Sequence, residues 1–356
     1  MNGVQFPNDP AGVFYAIPMQ GVSWAGQNPL GEGFCFGLES GGLVLTDTQG
    51  TPLGSPREAD SKEAVNGVAF SKGWLAVTSR ADINLIGPRL QANQEQVVID
   101  GGGLDVVVAP RSGYFVVPIG PAGIMFVKPA ITDKEPVIVS RSDKVSLNYS
   151  RVLALPGPAE DDLVVSAGRR GGLGFADFKE RMRGHTLNSV KFHNLDLVDV
   201  CSMGGFAVAA AAKDGSLVFL SDFLTERSPH TVKFKGVQGT VYRLLYAGGE
   251  LFVLTSKALY GLFGLAEQFL NGTGNNLYDA EILRFPIKAS DANVVQDKWL
   301  LAVGIDCVLR FDIEKMPKSP KEGRQNGQWE EPEDIRAQPL WEESSFEQTS
   351  GNMATV

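Results

Sequence analysis

Apolar residues in this chain come in short runs of Val, Leu, Ile, Phe and Tyr, broken by glycine, proline, asparagine and aspartate. Short runs bounded by turn residues read as strands, and stretches with helical periodicity are almost absent. Leu265–Leu270 and Phe178–Arg183 are the two segments that read as helical.

One pattern, two runs joined by a tight turn, returns along the chain. It occupies Val22–Gly37, Val65–Ser79, Gly101–Pro118, Arg151–Ser166, Val198–Ala210, Tyr242–Thr255 and Asp291–Val303. The second run of each copy starts near Phe34, Trp74, Tyr114, Leu163, Phe206, Leu251 and Leu300, a spacing of about 40–49 residues. That is the period of a four-stranded propeller blade, and it excludes the shorter helical ankyrin and tetratricopeptide repeats.

A third run follows in each copy, at Gly42–Asp47, Ile83–Gly87, Gly123–Val127, Gly172–Asp177, Gly215–Leu220, Ala258–Leu262 and Asp306–Phe311. Asp214-Gly215 supplies the positive backbone dihedral that a tight hairpin requires. Outer, more polar strands are expected at Gln96–Asp100, Pro136–Ser140, Ser189–His193, His230–Lys235 and Ala280–Phe285. A lone four-stranded sheet has two apolar faces to cover, and radial stacking of seven covers both while leaving only short edges. The last copy lacks an obvious fourth strand, so the N-terminal run Gly12–Ile17 is expected to complete it and close the wheel.

The inner-strand rhythm and the Asp214-Gly215-Ser216-Leu217 turn resemble the WD40-like propeller superfamily, over residues 10–314. The resemblance implies an all-β, seven-bladed β-propeller with four antiparallel strands per blade. The chain departs from that family in having no Trp-Asp at the ends of its copies and no recurrent Gly-His before its inner strands. Gly184-His185 precedes an outer strand instead.

The expected organisation is a propeller over residues 1–314 and an acidic, aromatic-containing tail over 315–356, extended or disordered by composition. Within the tail, Trp329, Leu340, Trp341 and Phe346 stand among seven acids. Three readings of the tail stay open: a docking peptide with aromatic anchors, a strap packing along its own propeller, or an inert extension.

In a propeller, the residue just ahead of each inner strand recurs around one mouth of the central channel. Here those residues are Ser23, Asn66, Asp105, Arg151, Asp199, Arg243 and Asp291, a mixed-charge collar. It suits recognition of a protein or peptide by oriented hydrogen bonds. Asp and Asn at such places also cap tight loops with no further role. Arg169 and Arg170, on a turn at the same mouth, read either as a site for an acidic segment or as a solvated turn.

The net charge of -9, from 32 basic and 41 acidic side chains over 356 residues, argues against nucleic acid as a partner. No run approaches a membrane span, and Cys35, Cys201 and Cys307 read as core residues in a reducing, cytoplasmic setting. His185, His193 and His230 show no metal-ligand spacing, no calcium loop is present, and no nucleophile elbow or dinucleotide fingerprint occurs. No cofactor is expected. The leading reading is a non-catalytic interaction scaffold, a component of a larger complex. The other is a propeller hydrolase or lyase using Asp105, Asp199 or Asp291 with Arg151 or Arg243.

Overall fold

The computed structural model describes residues 14–54, 57–58, 63–87, 94–98, 103–129, 138–141, 148–157, 161–169, 172–178, 188–191, 195–222, 229–271, 280–285 and 287–316. They form seven four-stranded antiparallel sheets. From inside outward, sheet one holds Val22–Gln27, Phe34–Leu38, Gly42–Thr46 and Arg57–Glu58. Sheet two holds Gly67–Ser71, Trp74–Thr78, Asp82–Ile86 and Gln94–Val98, and sheet three Val107–Val108, Phe115–Pro118, Ile124–Lys128 and Ile138–Arg141. Sheet four is Tyr149–Pro156, Asp162–Gly168, Gly172–Phe178 and Asn188–Lys191. Sheet five is Leu197–Gly204, Ala207–Ala212, Ser216–Leu220 and His230–Lys233, and sheet six Val241–Ala247, Glu250–Thr255, Leu259–Phe263 and Glu281–Phe285.

Sheet seven takes Asp291–Val295, Trp299–Val303 and Cys307–Asp312 from the end of the described chain and Phe14–Pro18 from its beginning. Phe14 pairs with Phe311, Ile17 with Val308 and Pro18 with Cys307. The strand from the chain's start is thus the outer edge of the last sheet.

The middle strands show why the runs carry so little polarity. Trp74–Thr78 and Ala207–Ala212 are buried at every position, because each of their faces meets a neighbouring sheet. Side chains alternate along a strand. Leu75 and Val77 accordingly pack on Trp24 and Leu43 of sheet one, while Trp74 and Ala76 pack on Phe115 and Val117 of sheet three. Further clusters join sheets three and four, four and five, five and six, and six and seven. A last one sets Ile17, Val303 and Val308 of sheet seven on Ala25, Phe34 and Val44 of sheet one. Each large side chain covered in this way contributes about 1.5–3 kcal/mol.

The expectation of an all-β propeller architecture is met. Observed second strands start within one residue of the expected places. Gly215 has φ of 91°, as the Asp-Gly hairpin requires. Three details differ. The two-residue strand Arg57–Glu58 has no counterpart among the expected strands, and Cys201 and Cys307 are only half-buried, in contrast to Cys35. Packing also continues past residue 314, for Met316 is buried in the cluster between sheets six and seven. Leu265–Leu270 is the expected helix. Phe178 ends a strand, and residues 179–183 lie outside the described residues. Among the described residues no helix is long and apolar enough to cross a membrane.

Candidate functional site

The inner strands of sheets one, four, five and six each carry a register shift after their first residue, skipping Ser23, Ser150, Val198 and Tyr242. A bulge of this kind re-aims the side chain that follows it. The re-aimed residues are Trp24, Arg151, Asp199 and Arg243. Sheets two, three and seven reach the same place without a bulge. There the amides of Asn66, Leu104 and Ser290 donate to the carbonyls of Thr78, Pro118 and Val303, at 2.8, 3.1 and 2.8 Å, just ahead of Gly67, Asp105 and Asp291.

Sheets three to seven therefore present Asp105, Arg151, Asp199, Arg243 and Asp291 at equivalent positions, alternating in sign. Arg151 Nη1 lies 3.4 Å from Asp105 Oδ1, and its Nη2 lies 3.3 Å from Asp291 Oδ1. Arg243 Nε lies 3.0 Å from Asp199 Oδ2, and its Nη1 lies 3.4 Å from the same Asp291 oxygen. Asp291 is the hub. Arg151 reaches it from sheet four to sheet seven, so the charges are drawn together across the axis and not only between neighbours.

Backbone and amide groups complete the network. Asp199 accepts from the amides of Val200 at 2.9 Å and Leu244 at 2.8 Å, which fixes sheet five to sheet six. Arg243 Nη2 donates to Asn293 Oδ1 at 2.7 Å, and Asn293 Nδ2 donates to the Ala25 carbonyl at 2.8 Å, carrying the connection into sheet one. Asn293 is absent from the collar read from the sequence. Its signal is the Asp291-x-Asn293 spacing, which puts both side chains on one face of a strand.

Burial governs the electrostatics. Asp199, Arg243 and Asp291 are 3%, 8% and 6% exposed, so the collar is an internal plug more than an open rim. Burial works against the charge of Arg243, but the carboxylates of Asp199, Asp291 and Asp105 outweigh it and hold the guanidinium protonated. Burial raises the pKa of Asp105, a rise that Arg151 and Arg243 oppose and Asp199 reinforces. Three carboxylates against two guanidiniums leave one surplus negative charge, which disfavours the charged form of Asp105.

The raised pKa gives a pH dependence of known sign. A carboxyl whose folded pKa is raised contributes stability that is complete below the ordinary aspartate value near 4 and is lost as pH rises through the raised value. Asp105→Asn, neutral throughout, is expected to flatten this part of the profile. Urea midpoints between about pH 3.5 and 7 measure it; a profile with wild-type slope contradicts the assignment.

Two collar residues read from the sequence do not join the network. Ser23 Oγ donates to the Val65 carbonyl at 2.8 Å and Asn66 Nδ2 to the Gly103 carbonyl at 2.8 Å. Each ties its sheet to the start of the next, and the equivalent collar positions are Trp24, buried among sheets one and two, and Gly67. Arg169 is exposed on its turn; Arg170, Trp329, Trp341 and Phe346 lie outside the described residues. So do His185 and His193, whereas His230 sits edge-on to Phe269 at 6.0 Å. At the opposite end, beside sheet six, a cleft of about 430 Å³ is lined by Tyr246, Gly248, Glu250, Glu267, Ile313 and Met316, among others. Burial raises the Glu250 pKa, but that carboxylate is already engaged, accepting the Gly264 amide at 2.8 Å at the start of the helix.

Solved structures share this fold. The β-propeller domain of Cps50 (Swd1) from Myceliophteria thermophila superposes with a TM-score of 0.64 at 12% identity, covering 85% of this chain and 100% of that one. The fold is a β-propeller. U3-55K matches with a TM-score of 0.63 at 11% identity, covering 86% of this chain and 100% of that one. A catalytically inactive variant of virginiamycin B lyase from Staphylococcus aureus, solved with quinupristin, matches with a TM-score of 0.61 at 11% identity, covering 87% of this chain and 98% of that one. No family model and no curated protein matches the sequence. At these identities the propeller neighbours share the fold and leave the chemistry to be argued from residues.

Proposed function

We propose that the chain is a non-catalytic interaction scaffold: a closed wheel of seven blades over residues 1–314 that docks a protein or peptide on its mouth face, in the cytoplasm, as part of a larger assembly. The clusters that join each sheet to the next, and the seventh to the first, support the closed wheel. The likeness to the propeller domains of Swd1 and U3-55K supports a scaffold in general.

One observation carries the choice of scaffold over enzyme. At the axis every carboxylate of the collar lies 3.0–3.4 Å from a guanidinium and no more than 14% of its side chain is exposed, so none is open to a substrate. The collar then serves to fix the inner strands, and docking falls to the exposed residues on the turns around it, Arg169 among them. Loops on a rigid frame are the usual carriers of recognition.

The reading is tested by affinity isolation of full-length protein from its native cells, comparing wild type with an Arg169→Glu, Lys213→Glu, Tyr242→Ser variant. Recovery of bound partners is expected to fall by about tenfold while the melting temperature holds within a few degrees, as for surface substitutions. An unchanged set of partners at unchanged recovery removes the mouth face as the docking surface.

A further inference from the structure

On the mouth face, three consecutive sheets present a basic residue on the turn between second and third strands: Arg169, Lys213 and Lys257. Lys288 continues the arc in the segment leading into Asp291. All four are exposed. Backbone bonds fix the turns beside the starts of the inner strands. The Arg169 amide donates to the Asn148 carbonyl at 3.2 Å and the Lys213 amide to Asp196 at 2.8 Å. Val241 donates to Lys213 at 3.1 Å and Ser256 to Thr240 at 2.9 Å.

Among the described residues no carboxylate pairs with any of these four side chains. The carboxylates on the same turns are Asp196, half-buried, Asp214, which Lys233 already holds at 2.7 Å, and the exposed Asp306 next to Ile305. Two large apolar side chains stand open beside the cations: Tyr242, 40% exposed at its bulge, and Ile305, 67% exposed on the turn of sheet seven. An unpaired basic arc with open apolar side chains calls for an acidic ligand that carries aromatic anchors.

The sequence contains such a ligand. Between Trp329 and Glu347 stand Glu330, Glu331, Glu333, Asp334, Glu342, Glu343 and Glu347 against a single Arg336, interleaved with Trp329, Leu340, Trp341 and Phe346. Twelve residues separate Met316 from Trp329. Extended, they reach up to about 40 Å, twice the roughly 20 Å height of a strand the length of Cys307–Asp312. The geometry points to this segment, residues 329–347 of the same chain, as the occupant of the basic arc. The inference rests on the mouth face being the docking face, and makes that face self-occupied until an outside acidic partner displaces the segment.

The test is zero-length carbodiimide cross-linking of the dilute full-length chain, followed by peptide mapping. Amide bonds are expected from Lys213, Lys257 or Lys288 to the carboxylates of 330–347, within the monomer. Their yield is expected to fall at least fivefold between about 0.05 M and 0.5 M salt, as screening shortens the reach of the charges. An Arg169→Glu, Tyr242→Ser, Ile305→Ser variant keeps every reacting lysine and carboxylate, and is expected to lower the yield by a similar factor. Bonds that form only between copies, bonds to Lys72, Lys298 or Lys315 on the opposite face, an unchanged yield in the variant, or no bonds at all each overturn the inference. The scaffold reading is judged separately, on the partners recovered by wild type and mouth-face variant, and survives any of those results.

Discussion

Arg243→Ala is expected to lose about 3–5 kcal/mol of folding stability, the range for removing one partner of a buried ion pair. Arg243 is 8% exposed and sits within 3.4 Å of both Asp199 and Asp291. Removing it leaves those two carboxylates and Asp105 to share the charge of Arg151 alone. The loss comes mainly from carboxylates left buried without a counter-charge, so Arg243→Ala combined with Asp199→Asn should be less destabilised than the sum of the single variants. Denaturant unfolding of the four proteins of that cycle measures it. An Arg243→Ala chain within 1 kcal/mol of wild type would mean that the plug is solvated in solution.

Beginning the chain at Met19 is expected to be as damaging. It removes the strand Phe14–Pro18, and with it a five-residue ladder on Cys307–Asp312. Ile17, 2% exposed, belongs to the cluster between sheets seven and one, and Phe14 packs on Phe311 at 5.8 Å between ring centroids. Covering these two side chains alone is worth on the order of 3–5 kcal/mol. The truncated chain should unfold at a markedly lower denaturant concentration and bind a hydrophobic dye; full-length stability would show that sheet seven does not depend on its outer strand.

Much of this fold is legible in the order of residues alone, because a middle strand covered on both faces must be apolar along its whole length. Runs such as Trp74–Thr78 and Ala207–Ala212 announce themselves. Outer strands are harder, and Arg57–Glu58 has no run to reveal it. The five charges of the plug are visible as residues preceding inner strands, but not as a network. Which oxygen Arg151 meets depends on where the axis lies, and its reach to Asp291 spans 140 positions of sequence. Bulges are the other hidden element. A register shift shows only in pairing, so the sequence points to Ser23 in place of Trp24, and to Asn66 over Gly67 because a glycine offers no side chain to notice.

The pairing of Phe14–Pro18 with Cys307–Asp312 also sets an order of events at the ribosome. Once made, Phe14–Pro18 waits for a partner roughly 290 residues downstream, about 15–60 s at ordinary elongation rates. Through that interval an apolar edge carrying Ile17 travels without cover, open to any other strand that meets it. Native contacts at such separation also make for slow folding. Translation pauses just ahead of the codons for Cys307–Asp312, or the loss of a chaperone that shields Phe14–Pro18 until then, should therefore reduce yield more than the same disturbance applied after them.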